Sequence, residues 1–311
     1  MSEKSQHNIL ILGASYGSLL GIKLVLAGHN VRLVCLPEEA ALINSEGTRV
    51  RMPLRGRDDL VEIASRDCPG QLSACTPEEV QAGDYDLIGL AMQEPQYRHP
   101  AVRKLLDAVA AAGVPCMSIM NMPPLAFLSR IPGLDTAPLR DSYTEPAVWD
   151  AFDTQLFTLA SPDPQAFRPP EEPLNVLQVS LPTNFKVAPF GDAKATAILK
   201  QLQQDIEAVR YEVDGEQVEL PVKLKAHDSL FVPLAKWAML LAGNYRCVQP
   251  TEARAIAEAV HSDLEKSRQM YDWVRSVCLK LGASEDDLVP FEKYANAAKG
   301  LAKPSSAARA L

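Results

Sequence analysis

The residues that most constrain this chain come at its start. Asn8-Ile9-Leu10-Ile11-Leu12 is an almost unbroken apolar run with β-branched members, the pattern of a strand buried on both faces. It leads into a short turn of mostly small residues, Gly13-Ala14-Ser15-Tyr16-Gly17-Ser18. Leu19 through Ala27 then reads as an apolar helix that stops at Gly28, a residue suited to the left-handed cap. Val31-Arg32-Leu33-Val34-Cys35 reads as the next strand. Strand, tight turn, helix and strand within about thirty residues form a βαβ unit.

The remainder extends that unit. Leu87 to Ala91 and Cys116 to Met120 are further strands flanking a helical stretch from Ala101 to Ala112, which argues for a mostly parallel sheet. The texture then changes. Twelve of the 24 prolines lie between Pro123 and Pro189, so loops and antiparallel edge strands are expected there. Ala193 to Ala208 is helical, with Ile198, Leu199, Leu202 and Ile206 on one stripe. From Ser229 onward the pattern is helical, and the apolar steps from Ala253 to Leu281 predict one helix of about thirty residues, about 45 Å long. The predicted organisation is an α/β, Rossmann-type domain over residues 1–228, with a proline-rich β/loop extension, followed by an all-helical domain over 229–311. No internal repeat is visible.

Composition narrows the function classes. A chain of 311 residues with 47% hydrophobic and 23% charged residues has enough core for two modest domains. Its formal net charge of −8 lacks the field that gathers nucleic acid, so no nucleic-acid partner is expected. No apolar run reaches the roughly 18 residues of a membrane span, and Met1 to His7 does not read as a secretory leader, so a cytoplasmic protein with no membrane partner is expected. The six cysteines form no C-x-x-C pair and the five histidines are scattered, so no metal site is expected. Cys35 and Cys116 read as small buried hydrophobes.

A strand that ends in a glycine turn and opens a helix can hold a phosphate, because the glycines let backbone approach the anion and the helix end offers free N–H groups. Gly13, Ala14, Ser15, Tyr16, Gly17 and Ser18 are therefore candidate cofactor ligands, although Ser15 replaces the second glycine of the usual fingerprint and Gly17 comes one residue early. At the end of the second strand an acid reads the ribose of NAD and an arginine the phosphate of NADP. Here Leu36 takes that place, with Glu38 close by, and neither rule is met outright. Arg49, Arg51, Arg55 and Arg57 are alternative cations, but Arg49 and Arg51 also read as the solvent face of a strand whose Val50 and Met52 point inward. Asn121, at a strand end, either orients a cofactor or substrate amide or caps the next turn. His227-Asp228, at the proposed boundary, is either an acid–base pair or a helix cap. Tyr143, Trp149, Phe152 and Phe157 either line a pocket or anchor loops.

Gly13 through Val50, with Gly17-Ser18-Leu19-Leu20-Gly21, Ala27-Gly28-His29 and Ile43-Asn44-x-x-Gly47, resembles the ketopantoate reductase family within the wider 6-phosphogluconate dehydrogenase-like group. The likeness continues through Asp86 to Ala91 and Ser118 to Asn121 and returns at Trp237. The resemblance implies an NADP-dependent reductase, with NAD as the second choice, whose lysine gives a proton to the developing alkoxide. It also implies Leu36, Gln93 and Asn121 as cofactor neighbours. The family's W-x-K-L-x-x-N pattern reads Trp237-Ala238-Met239-Leu240-Leu241-Ala242-Gly243, so both functional positions are changed. Lys236, His227 and Asn244 are the remaining catalytic candidates. Pro304-Ser305-Ser306 resembles the family's paired serines, and the chain stops before the helix that carries the family's substrate glutamate. The expected activity is reduction of a keto or imine group on a small molecule other than ketopantoate, and the apolar stripe of the long helix reads either as a homodimer interface or as intradomain core. The alternative is a catalytically silent relative that binds a ligand or an assembly partner.

Overall fold

A computed structural model describes residues 5–305 and 308; Met1 to Lys4, Ser306, Ala307 and the last three residues lie outside the described set. The chain divides into two compact units, Met1–Arg130 with Asp135–His227, and Ile131–Leu134 with Asp228–Leu311. Among the described residues no helix is long and apolar enough to cross a membrane.

The first unit opens with β1 (Asn8–Leu12), α1 (Ala14–Leu26), β2 (Asn30–Val34) and α2 (Pro37–Glu46). A hairpin of β3 (Arg49–Pro53) and β4 (Leu60–Ala64) follows, then β5 (Leu72–Cys75), β6 (Leu87–Leu90), α3 (Pro100–Ala112), β7 (Cys116–Ile119) and the short α4 (Leu125–Leu128). The proline-rich part supplies β8 (Phe157–Ser161), β9 (Gln165–Phe167), β10 (Val176–Leu181) and β11 (Phe185–Val187). It is followed by α5 (Ala193–Ala208), β12 (Tyr211–Val213), β13 (Glu216–Val218) and β14 (Leu224–Ala226). Eight strands form the main sheet in the order β14-β11-β8-β7-β6-β1-β2-β5. The six from β5 to β8 are parallel, and β11 runs antiparallel to β8. This is the mixed α/β, mostly parallel architecture that the first βαβ unit predicts.

A smaller sheet, β4-β3-β10-β9, covers α1 from outside. Consequently α1 is buried on nearly every face, as its continuous apolar sequence requires. Leu19, Leu20, Ile22, Leu24 and Val25 share one core with Ile9 and Ile11 of β1, Val50 and Met52 of β3, Leu177 and Val179 of β10, and Leu199 and Leu202 of α5. The helix begins at Ala14, five residues before the Leu19 start read from sequence, and Gly13 alone makes the turn at φ 100°. Gly17 explains the early start: a Cβ there would stand 2.7 Å from Cγ2 of Ile11, so the glycine lets α1 lie against β1 from its first turn.

Lys23 is the anomaly in this helix, only 2% exposed among apolar neighbours. Its ammonium donates to the carbonyls of Pro221 at 2.9 Å and Leu220 at 3.4 Å, pinning the segment before β14. The next residue, Val222, is fully buried at φ 61°, a left-handed conformation that costs a β-branched residue about 1–3 kcal/mol and persists only where neighbours enforce it.

Tyr97, Trp149, Phe152 and Phe157 form a buried edge-to-face cluster, with Trp149 5.4 Å from Tyr97 and Phe152 5.1 Å from Phe157. Tyr143 is also buried and donates to the Pro123 carbonyl. These aromatics anchor loops.

The second unit contains α6 (Lys236–Met239), a π-helical turn at Leu240–Asn244, α7 (Ile256–His261), α8 (Leu264–Lys280) and α9 (Phe291–Ala298). The single long helix expected from Ala253 to Leu281 is broken. Asp263 turns its carboxylate onto the Lys266 amide at 2.9 Å and caps a new helix, so the apolar stripe is divided between α7 and α8. Ala242, Val260, Tyr271, Val274, Cys278 and Tyr294 form this unit's core.

Burial, with the Lys223 charge adding to it and Glu219 opposing, lowers the Lys23 pKa to about 7. Between that value and the ordinary lysine value near 10.4 the unfolded chain binds more protons, so stability rises with pH there, by up to about 1.4 kcal/mol per pH unit. Denaturant melts at pH 6.5, 8 and 9.5 are expected to show this rise in the native protein and its loss in Lys23→Met; parallel pH profiles would refute it. In the second unit a Cβ on Gly243 would lie 2.1 Å from the Tyr294 hydroxyl. Gly243→Ala is therefore expected to cost about 1–3 kcal/mol, and adding Tyr294→Phe to recover most of it, both read from chemical melts.

Candidate functional site

The strand order of the main sheet reverses between β1 and β6, since β2 and β5 lie to one side of β1 and β6, β7 and β8 to the other. In open parallel sheets the crevice outside the carboxyl ends of the strands at such a point is where ligands bind. Register fixes what lies along it. Leu12 pairs with Leu90, and Leu90 with Ser118, so Gly13, Ala91 and Ile119 continue at one level and Gln93 and Asn121 follow just beyond.

Gly13 sits closest to the crevice floor. A Cβ there would be 2.8 Å from the Ala91 carbonyl oxygen and 2.7 Å from Cγ of Met92, so the two loops approach to backbone distance. The amides of Ala14, Ser15 and Tyr16 precede the first helical bond, which runs from the Gly17 amide to the Gly13 carbonyl at 3.2 Å. No side chain caps this end of α1 and no acidic residue lies in its first turn. The residues therefore fit a phosphate: donors, dipole and a glycine-lined approach coincide. Ser15 is exposed beside them.

Two candidates from the turn serve other ends. Ser18 is buried and gives its hydroxyl to the Ala14 carbonyl, so only its place in the helix, not its side chain, bears on the site. Tyr16 donates to the Pro164 carbonyl, just beyond the end of β8, and packs edge-on to Phe185 at 5.7 Å. Burial, with Asp163 adding to it, pushes its phenol far above the ordinary range, so it holds its proton at any working pH. Gln93 is exposed and caps the short turn after β6, its amide donating to Gln96 at 2.8 Å. Met92 is fixed through its amide to the Tyr97 hydroxyl at 3.1 Å. Asn121 is exposed at the end of β7.

His227 follows β14, an edge strand, and its amide donates to the Val187 carbonyl at 2.8 Å. Three strand spacings, about 14 Å, separate β14 from β7, so the sheet does not bring His227 to Asn121. A cluster that sequence reading missed lies nearer. Ser161 at the end of β8 pairs in register with Lys186 of β11, and the Lys186 ammonium stands 3.3 Å from Asp163. Only strand pairing reveals it, because residues 161 and 186 carry no motif.

In the second unit Lys236 opens α6, one turn before Met239. The two altered family positions are both taken up by one residue: the Tyr294 hydroxyl donates to the Met239 carbonyl at 3.2 Å and fills the space beside Gly243. Asn244 closes the π-helical turn, and its carbonyl accepts from the Ser305 hydroxyl at 2.7 Å. Single π turns are frequent where helices carry function.

The six cysteines are free. Burial, then Glu39 and Cys75, push the Cys35 thiol up to about 12, which makes it unreactive near neutrality. Among the described residues no three His, Cys, Asp or Glu side chains are grouped to hold a metal ion.

No protein-family model and no curated protein matches the sequence. Solved structures do. A 2-dehydropantoate 2-reductase from Methylococcus capsulatus superposes with a TM-score of 0.64 at 15% identity, over 97% of this chain and 83% of that one. A putative ketopantoate reductase from Ralstonia solanacearum gives 0.63 at 13% identity, over 96% and 84%. A probable 2-dehydropantoate 2-reductase from Bacillus subtilis gives 0.57 at 15% identity, over 97% and 84%. With almost its whole length superposing on these structures, the chain has the ketopantoate reductase fold.

Proposed function

We propose that this protein is an oxidoreductase that uses a nicotinamide dinucleotide to reduce a keto or imine group of a small molecule other than ketopantoate. The observation that carries the reading is the uncapped N-terminus of α1 at the strand-order reversal, with Gly13 admitting backbone contact. The amides of Ala14, Ser15 and Tyr16 hold the pyrophosphate. Asn121, exposed at the end of β7, orients an amide or carbonyl. A bound nicotinamide supplies a hydride.

Reduction of a carbonyl or imine leaves an oxygen or nitrogen that needs a proton. Met239 cannot give one. Lys236, one turn earlier, carries a long stem and an ammonium and is the residue we assign to that role. The Asn position of the family cannot be restored at Gly243 while Tyr294 stands against it, so substrate contacts differ from those of ketopantoate reduction. That same substitution favours the second reading, a protein that binds a dinucleotide without turning over.

Two measurements separate these readings. Titration of purified protein with reduced cofactor, followed by cofactor fluorescence, is expected to give micromolar binding, weakened at least tenfold in Gly13→Val. No binding by folded protein would end the oxidoreductase proposal. On a panel of keto acids, with and without amines, Lys236→Ala is expected to lower kcat by about 10²–10⁴ with cofactor affinity unchanged. Unaltered turnover in that variant would remove Lys236 from the mechanism, and binding with no turnover on the whole panel would favour the silent protein.

A further inference from the structure

The end of β2 is where a Rossmann-type sheet reads the adenosine ribose, through an acid for NAD or a cation for the 2′-phosphate of NADP. In this chain the local sequence offers no cation there. Leu36 is 71% exposed, and Pro37 removes one amide from the start of α2. Glu38 and Glu39 occupy its first turn and already complement the helix dipole. One arginine does arrive, from outside the βαβ unit. Arg168 follows β9 of the smaller sheet and is ion-paired with Glu39, whose side chain is only 10% exposed.

The Glu39–Arg168 pair is a closed one. Their opposing charges both act on the thiol of Cys35, the first residue after β2. A carboxylate this buried is held by its partner, and separating the two would leave a charge stranded in a desolvated place. Of the other arginines that sequence offers to a phosphate, Arg55 is exposed in the turn between β3 and β4, away from the end of β2, and Arg49, Arg51 and Arg57 are engaged elsewhere. Arg51 pairs with Glu62 and Glu172, each at 2.7 Å, Arg49 lies within 4.0 Å of the same two, and Arg57 pairs with Asp214 and Glu216. Arg32 faces Tyr85 and Cys75. The strand beside β2 adds to the negative side: β5 ends at Cys75, and Glu78 and Glu79 follow within its next turn. Glu38 is exposed at the centre of this edge.

A ribose diol needs an acceptor; a 2′-phosphate needs unpaired positive charge. We propose that this edge selects NAD over NADP, with Glu38 accepting from the ribose hydroxyls and the Glu39–Arg168 pair denying the 2′-phosphate its cation. The assignment rests on the dinucleotide reading above and reverses the cofactor choice that the family resemblance implies.

The test is a pair of fluorescence titrations, NADH and NADPH, on the native protein, Glu38→Arg and Glu39→Gln, with circular dichroism to confirm folding. The native protein is expected to bind NADH at least tenfold more tightly than NADPH. Glu38→Arg is expected to narrow or reverse that ratio by at least tenfold, and Glu39→Gln, which releases Arg168, to strengthen NADPH binding with little change for NADH. Equal or tighter NADPH binding by the native protein overturns the proposal while leaving the oxidoreductase reading intact, as does an unchanged ratio in Glu38→Arg. Binding of neither cofactor by folded protein defeats the dinucleotide reading itself.

Discussion

Helix α1 is the member on which the first unit depends. It is packed on the main sheet on one side and on the smaller sheet and α5 on the other, so only its first turn, at Ser15, is open to water. That burial explains why its sequence lacks the polar stripe of a surface helix. It also explains why Gly17 must be glycine against Ile11, and why its one buried cation is turned onto two carbonyls. A helix clamped in this way cannot slide. Its N-terminus stays at the mouth of the strand-order reversal, where free amides can hold an anion.

The smaller sheet does more than cover that helix. It carries Arg168 to Glu39 and the Pro164 carbonyl to Tyr16, so both ends of the proposed dinucleotide site are shaped by a segment remote in sequence. Proline-rich and short-stranded, this segment is the part where resemblance to the family is weakest. Specificity devices commonly reside in such connections, because the scaffold beneath them tolerates change.

The second unit tells a different story about divergence. Replacing the family's lysine and asparagine with Met239 and Gly243 would be two unrelated losses if the positions were independent. They are not independent: Tyr294 bonds to the carbonyl of the first and occupies the space of the second. The turn between them is π-helical, which alters the facing of every residue after Leu240. A coupled arrangement of this kind is consistent with the proposed change of substrate, for which Lys236, one turn earlier, is the proton donor assigned above.

The amino-acid sequence by itself determined the βαβ start, the mostly parallel sheet, the helix stop near Gly28 and the helical stretch from Ala101 to Ala112. These follow from local pattern, because a doubly buried strand and an apolar helix each announce themselves within ten residues or so. Tertiary structure alone decided where α1 begins, since the contact of Gly17 with Ile11 outweighs the loop-like look of Ala14 to Ser18. It split the predicted long helix at Asp263, where a carboxylate competes for a backbone amide. It placed His227 just beyond an edge strand, brought Lys186 beside Asp163, and delivered Arg168 to Glu39 after β2. Each of these joins residues distant along the chain. Periodicity reports only which face a side chain occupies, whereas charge pairing and strand register depend on what the rest of the fold sets opposite it.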